Sequence, residues 1–305
     1  MNVRRWIALA ALGLVGTAAC DRAATAPELR AGNPPVVHAT MATIPVATRS
    51  HLLVDAQWLK ANLHRPNVVV LYFGTQAKYD AGHIAGARLV AMTQFQHANG
   101  SITNEFNDLP TLRAFFAGLG VSTNDRVIVT GDRIVEAARG FLALEYAGYP
   151  QVAVLDGGLG AWVEAGGEAT TAIPAPLPAG KLAPPAREDE VVSTDWMLAH
   201  FQDAGLTVVD ALPAATYADH HILGATNAPY TLLMKSNDAL VDVATMRALF
   251  ATAGVHAQNQ RVVVYCVSGL TSALDYFVAR YLGFDASLYD SSWQGWTGPK
   301  FIAGV

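Results

Sequence analysis

Val262-Val263-Val264-Tyr265-Cys266, in the C-terminal half of the chain, has a counterpart in Val127-Ile128-Val129-Thr130-Gly131. Each is a short, largely β-branched run that closes on a turn, the pattern of a strand buried on both faces. Each continues without a gap into a helical stretch ending in similar words, Leu282-Gly283-Phe284 and Ala147-Gly148-Tyr149. Leu288-Tyr289-Asp290 and Val154-Leu155-Asp156 follow, with Trp296 and Trp162 each six residues beyond the aspartate. Upstream lie His220-His221-Ile222-Leu223-Gly224-Ala225 and Gly82-His83-Ile84-Ala85-Gly86-Ala87, preceded by the strand-like Thr207-Val208-Val209-Asp210 and Val68-Val69-Val70-Leu71. Shared landmarks in one order mark a duplicated chain.

Within each copy, short apolar runs alternate with amphipathic stretches. Leu112, Phe115, Phe116 and Leu119 recur at helical spacing, as do Met246, Leu249 and Phe250. This alternation predicts an α/β fold in two domains, each with a mostly parallel central sheet flanked by helices. Such sheets bind ligands beyond the carboxyl ends of their strands, and Cys266 sits at one of those ends. The expected division is a signal segment over 1–19, a flexible tether over 20–50, a first domain over 51–172, a proline-rich spacer over 173–190 and a second domain over 191–305. The tryptophans 162, 293 and 296 read as core or interface anchors, and Asp156 and Asp290 as turn caps.

Composition narrows the function. Of 305 residues, 52% are apolar and 15% charged, which excludes a disordered chain. A formal charge of −5 argues against nucleic acid as a partner and against a polybasic membrane patch. Two cysteines are too few for a disulfide scaffold or a Cys-rich metal site, and the scattered histidines lack ligand spacing. No metal ligand set is assigned.

The N-terminus reads as an export signal. Arg4 and Arg5 precede the apolar run Trp6–Ala19, which is too short to span a bilayer. Thr17-Ala18-Ala19-Cys20 resembles the processing site of bacterial lipoproteins, which implies diacylation of Cys20 and a place on the periplasmic face of a membrane. Asp21 resembles the signal that retains lipoproteins in the inner membrane. With Cys20 blocked by lipid, Cys266 is the remaining thiol and is free for sulfur chemistry.

The landmarks of both halves, over about residues 51–305, resemble the tandem rhodanese family of sulfurtransferases. Cys266-Val267-Ser268-Gly269-Leu270-Thr271 matches the family's loop, Cys-x-x-Gly-x-Thr, between an apolar strand and a helix. The resemblance implies that Cys266 is the nucleophile and that Val267, Ser268, Gly269, Leu270 and Thr271 hold its persulfide. Gly131 stands at the cysteine position of the first domain, which is therefore expected to be non-catalytic and to form one wall of the cleft.

The loop suits that chemistry. A thiolate is the nucleophile, and loop amides converging beside the sulfur, with a helix N-terminus behind them, favour negative charge there. The implied cycle is two-step. Cys266 takes a sulfane sulfur from thiosulfate or 3-mercaptopyruvate, then yields it to cyanide, a small thiol or a protein cysteine, with no cofactor. The alternative is a sulfur carrier or polysulfide sensor without efficient turnover. A cysteine phosphatase needs arginine six residues after the cysteine, and Ser272 is there instead. The chain also departs from the family. Asp210-Ala211-Leu212 replaces an Asp-x-Arg that binds the anionic donor, and Val267 fits neither the thiosulfate nor the mercaptopyruvate branch. Ser268 leans to the latter, where the resemblance implies a relay between Ser268 and His83, left incomplete by Tyr72 at the aspartate position. The competing expectation for His83 is structural, its ring tying the adjacent turn to the backbone. The sequence leaves the donor, the acceptor and the oligomeric state open.

Overall fold

A computed structural model describes residues 47–182, 184–256 and 260–304. The expected signal segment, Cys20 and all of the tether before residue 47 lie outside the described residues.

In the first half the order is β1 (Leu53–Val54), α1 (Ala56–Asn62), β2 (Val68–Phe73), α2 (Gln76–Ala81), β3 (His83–Ile84), β4 (Arg88–Val90), β5 (Gln96–Asn99), β6 (Ile102–Phe106), α3 (Leu109–Gly118), β7 (Arg126–Gly131), α4 (Ile134–Ala147), β8 (Val152–Leu155), α5 (Gly158–Glu164) and β9 (Ala169–Thr170). The second half runs β10 (Val191–Val192), α6 (Thr194–His200), β11 (Leu206–Asp210), α7 (Ala214–Asp219), β12 (His220–Ile222), β13 (Thr226–Asn227), α8 (Val243–Thr252), β14 (Arg261–Tyr265), α9 (Ser272–Leu282), β15 (Asp285–Tyr289), α10 (Ser292–Gly295) and β16 (Lys300–Ile302). Polar side chains at helix starts satisfy amides that would otherwise lack acceptors. Asp108 accepts from the Thr111 N–H at 2.9 Å and Asp242 from the Thr245 N–H at 2.9 Å, in equivalent helices of the two halves. Gly148 and Gly283 end α4 and α9 in the left-handed conformation that only glycine adopts freely.

Each half builds one five-stranded sheet. The orders are β1-β8-β7-β2-β4 and β10-β15-β14-β11-β13, and every neighbouring pair is parallel. The sheets are thus the same design twice, as the repeated strand words predict. Register matches too: Tyr72 pairs with Thr130 as Asp210 pairs with Tyr265.

The two domains join through α4 and α9. Both helices are buried almost all round, and Phe141 meets Phe277 edge to face with ring centroids 5.0 Å apart. Buried charges between them are paired. Arg280 reaches Glu145 at 3.3 Å and Glu190 at 3.2 Å, Arg187 joins both carboxylates, and the Tyr276 hydroxyl lies within hydrogen-bond distance of both. Burial, then Glu145, pushes the Glu190 carboxyl up to about 7.

The proline-rich stretch between the domains is strapped to the first one. The Gly180 N–H donates to the Ala117 carbonyl at 2.8 Å, and the Arg113 guanidinium to the Pro184 carbonyl at 2.7 Å.

Candidate functional site

Strand β14 delivers Cys266 to the carboxyl end of the second sheet, and α9 starts six residues later. The first two loop residues are pinned to the turn after β15. The Cys266 N–H donates to Ser292 Oγ at 3.2 Å, the Trp293 N–H donates to the Cys266 carbonyl at 3.0 Å, and the Gln294 N–H to the Val267 carbonyl at 3.0 Å. Ser292 pays for this with a positive φ of 51°, held by its own Oγ donating to the Tyr289 carbonyl at 2.9 Å. Gly269 has φ +81°, and a Cβ there would stand 2.7 Å from the Asp290 carbonyl oxygen. Only glycine fits.

Among the described residues, the N–H groups of Val267, Ser268, Gly269, Leu270 and Thr271 have no acceptor. Five consecutive amides without acceptors lead into an 11-residue helix, donors that together with the helix N-terminus are able to hold an anion. Leu270 packs on the main core and Thr271 is the first residue to turn helical, so the loop is anchored at both ends. Ser268 is nearly buried and its Oγ accepts from Asn104 Nδ2 at 2.7 Å.

The wall around Cys266 is apolar. Cys266 is 2% exposed and packs against Ala211 and Leu212, with Tyr230 alongside. Val267 covers the loop on the solvent side and is 38% exposed. Leu212, at the position where the sequence resemblance leads to the expectation of a donor-binding arginine, contributes a hydrocarbon surface and no charge. Asp210 holds the turn below it. One carboxyl oxygen accepts from the Leu212 N–H at 2.8 Å, the Tyr265 hydroxyl lies against the carboxyl, and burial pushes the carboxyl up.

The back of the loop is held by the first domain, which the sequence alone did not reveal. Arg139 of α4 is fully buried. Its Nη1 lies 2.7 Å from Asp290 Oδ1 and donates to the Gly269 carbonyl at 3.2 Å; its Nε donates to Gln96 Oε1 at 3.2 Å, and its Nη2 to the Asn104 carbonyl. The guanidinium lies over the Phe106 ring, 3.5 Å from the centroid. The hairpin β5–β6 carries Gln96, Asn104 and Phe106 against the second domain. Asp290 is thus more than a turn cap: its Oδ2 accepts from the Phe106 N–H at 2.8 Å. The repeat preserves this, because Asp156 accepts from the Leu240 N–H of the second domain at 2.8 Å. The sign available in the sequence was a lone arginine within the apolar run of α4, since a buried cation requires a partner.

The equivalent end of the first sheet is closed to cysteine chemistry. A Cβ at Gly131 would lie 2.4 Å from the Phe73 carbonyl oxygen. Asp238, from the second domain, accepts from the Ile134 N–H and so occupies the start of α4. A cavity of about 320 Å³ opens beside it, lined by Tyr72, Lys78, Asp132 and glycines 131, 157 and 158 among others.

The structure does not join His83 to Ser268. His83 is fully buried, with Nδ1 2.8 Å from the Tyr79 carbonyl, Nε2 3.2 Å from the Ala172 carbonyl, and its ring stacked on Tyr79 at 3.7 Å. His221 repeats the arrangement on Tyr217, with Nδ1 2.7 Å from the Tyr217 carbonyl. Both rings tie a short helix to the strand that follows it. Tyr72, at the relay's aspartate position, donates to Asp132 Oδ1 at 2.8 Å instead, and burial together with that carboxylate pushes its phenol up.

Comparison with known proteins follows this geometry. The model of the rhodanese-like domain matches residues 55–165 and again 193–299. Over 269 residues the chain is 27% identical to the sulfur carrier protein TtuD of Thermus thermophilus, covering 80% of this chain and 93% of that one. Over 255 residues it is 26% identical to the thiosulfate sulfurtransferase of Azotobacter vinelandii, covering 80% and 93%. Among solved structures, SseA of Escherichia coli, a 3-mercaptopyruvate sulfotransferase with the rhodanese fold, superposes with a TM-score of 0.69 at 25% identity, covering 79% of this chain and 98% of that one. With one matched domain in each half and a cysteine loop in the second, the chain belongs to the rhodanese-like family.

Proposed function

We propose that the protein is a sulfurtransferase, moving a sulfane sulfur from thiosulfate or 3-mercaptopyruvate to a thiophilic acceptor through a persulfide on Cys266. The observation that carries the reading is the run of five acceptor-free amides that directly follows Cys266. The Cys266 thiolate attacks the donor's transferable sulfur, an S–S bond forms, and the donor remnant leaves with the electron pair of the broken bond. The loop amides hold the anionic terminal sulfur until an acceptor thiolate or cyanide removes it and restores the Cys266 thiolate. Similarity to proteins named thiosulfate sulfurtransferase supports the same reading. The test is thiocyanate formation from either donor plus cyanide. Wild type turns over and Cys266→Ser does not; equal rates in the two would overturn the mechanism.

A second reading is a sulfur carrier or polysulfide-sensing module. It is favoured by Leu212, which packs on Cys266 where a donor-binding arginine is expected, and by the likeness to a protein named sulfur carrier. A stable one-sulfur adduct without turnover on either donor selects this reading.

The N-terminal segment completes the proposal. Cys20 is lipid-modified and holds the chain on the periplasmic face of a bacterial membrane, the inner one by the presence of Asp21. Membrane fractionation tests this: the wild-type chain sediments with membranes and Cys20→Ser is released.

A further inference from the structure

The side-chain hydrogen bonds that reach the Cys266 loop from the first domain all run in one direction. Arg139 can only donate, so Gln96 Oε1, 3.2 Å from Arg139 Nε, is an acceptor. That turns the Gln96 amide so that its Nε2 donates to Asn104 Oδ1 at 3.0 Å. Asn104 then presents its NH2 group, which donates to Ser268 Oγ at 2.7 Å and to Thr103 Oγ1 at 3.1 Å. Each amide is oriented by the one before it, and the guanidinium at the origin sets them all.

The Ser268 hydroxyl stands at the end of this run. Its oxygen accepts from Asn104, so its one proton cannot return there, and among the described residues no acceptor takes it. Ser268 is nearly buried, where a hydroxyl proton without an acceptor is unfavourable. The amides from Val267 to Thr271 are in the same condition. The loop thus adds a side-chain donor to its five amides.

The repeat contains the opposite arrangement. The Phe106 N–H donates to Asp290 as the Leu240 N–H donates to Asp156, so Asn104, two residues before Phe106, corresponds to Asp238, two residues before Leu240. Gly269 corresponds to Ile134, each three residues beyond Cys266 or Gly131. Asp238 Oδ2 accepts the Ile134 N–H of the first-domain loop. Asn104 offers donors at the matching place, and the Gly269 N–H keeps no acceptor among the described residues. An acceptor reaching across the interface fills the inert loop. A donor reaching across leaves the amides of the cysteine loop open and turns the Ser268 proton away from the interface.

We infer that Gln96 and Asn104 are positioning residues that hold the Ser268 hydroxyl as a donor to the anion bound by the Cys266 loop. They act through Ser268, and the polarity they impose originates at Arg139. The hydroxyl is polarised by the bond it accepts, which strengthens the one it gives. This role rests on the proposed function in taking the ligand of the loop to be an anion, but its test reads binding without turnover.

The probe is sulfite, and the readout is protection of Cys266 from iodoacetamide in the full chain, followed by mass spectrometry on the Cys266 peptide. Wild type is expected to be protected. Ser268→Ala should need about tenfold more sulfite, the loss of one hydrogen bond to a charged group. Among the described residues the Gln96 side chain bonds to Arg139 and Asn104 alone. The carboxylate of Gln96→Glu still accepts from Arg139, but its second oxygen requires a donor, so the Asn104 amide turns over and the Ser268 proton turns back to it. The same loss of about tenfold is expected. In the Ser268→Ala background Gln96→Glu should change nothing further, whereas a merely structural effect would persist there. A wild type that sulfite does not protect, Gln96→Glu with wild-type protection, or effects that simply add would each overturn the inference. A second measurement needs no variant: the side-chain amide NMR signals of Gln96 and Asn104 move when sulfite is added to wild type, and signals indifferent to sulfite overturn it. Sulfur transfer without coupling between Gln96 and Ser268 would leave the proposed function standing alone. Full coupling in a protein that takes up no sulfur would support the positioning role and overturn the proposed function instead.

Discussion

Arg139→Ala is the change that most sharply separates a loop held by its own sequence from a loop held by the other domain. The guanidinium is fully buried, 2.7 Å from Asp290 Oδ1, and bonded to the Gly269 carbonyl at 3.2 Å. Truncation leaves Asp290 buried without its cation, and breaking a buried pair from one side costs about 3–5 kcal/mol. The carbonyl of Gly269 loses its tether at the point where the loop adopts a positive φ. Misplacing reacting groups by about 1 Å costs on the order of a hundredfold in rate. Urea unfolding should therefore show a stability loss of about 3–5 kcal/mol, and thiocyanate formation should fall by about a hundredfold. Arg139→Met with Asp290→Asn removes both charges and keeps an acceptor for the Phe106 N–H. It should recover about 2 kcal/mol relative to the sum of the single changes, while turnover stays low because the Gly269 carbonyl is still unheld. A coupling below about 0.5 kcal/mol, or full activity in Arg139→Ala, would refute the claim that the first domain positions the loop.

Three further outcomes are expected. Leu212→Arg restores a cation beside Cys266, and a charge-assisted hydrogen bond of about 1.5–3 kcal/mol should raise kcat/KM for thiosulfate at least about tenfold; an unchanged value would show that Leu212 does not face the donor. Gly269→Ala places a Cβ 2.7 Å from the Asp290 carbonyl oxygen at a φ of +81°, so sulfur transfer should be nearly abolished and stability reduced by about 1–3 kcal/mol; wild-type turnover would contradict the loop geometry. Glu190 has a carboxyl raised from 4.5 to about 7, so the folded chain binds a proton there that the unfolded chain has released. Stability should fall by up to about 3 kcal/mol as pH rises from about 4.5 to about 7 and stay level above that, and urea midpoints of Glu190→Gln should lack this pH-dependent component.

The sequence was legible where a repeated pattern met a local rule. The β-branched runs ending at Gly131 and Cys266 become β7 and β14, with the parallel order repeated in both sheets. The words around Gly148 and Gly283 become helix ends because a left-handed residue is required there. What stayed hidden depends on contacts between residues far apart in the chain. Arg139 sits in a helix that composition marks only as apolar, and its partners come from a hairpin and from the other domain. Asp156 and Asp290 read as local caps because their amide donors lie in the opposite half. His83 invited a chemical role by its neighbours in sequence, whereas its two ring nitrogens face carbonyl groups of its own domain.

The central claim is that Cys266 carries the transferred sulfur. Intact-mass measurement of the full chain after exposure to thiosulfate or 3-mercaptopyruvate tests it most directly. The expected result is a one-sulfur adduct on wild type, located to the Cys266 peptide, removed by cyanide and absent from Cys266→Ser. A wild-type protein that takes up no sulfur from any sulfane donor, or an adduct that survives Cys266→Ser, would contradict it.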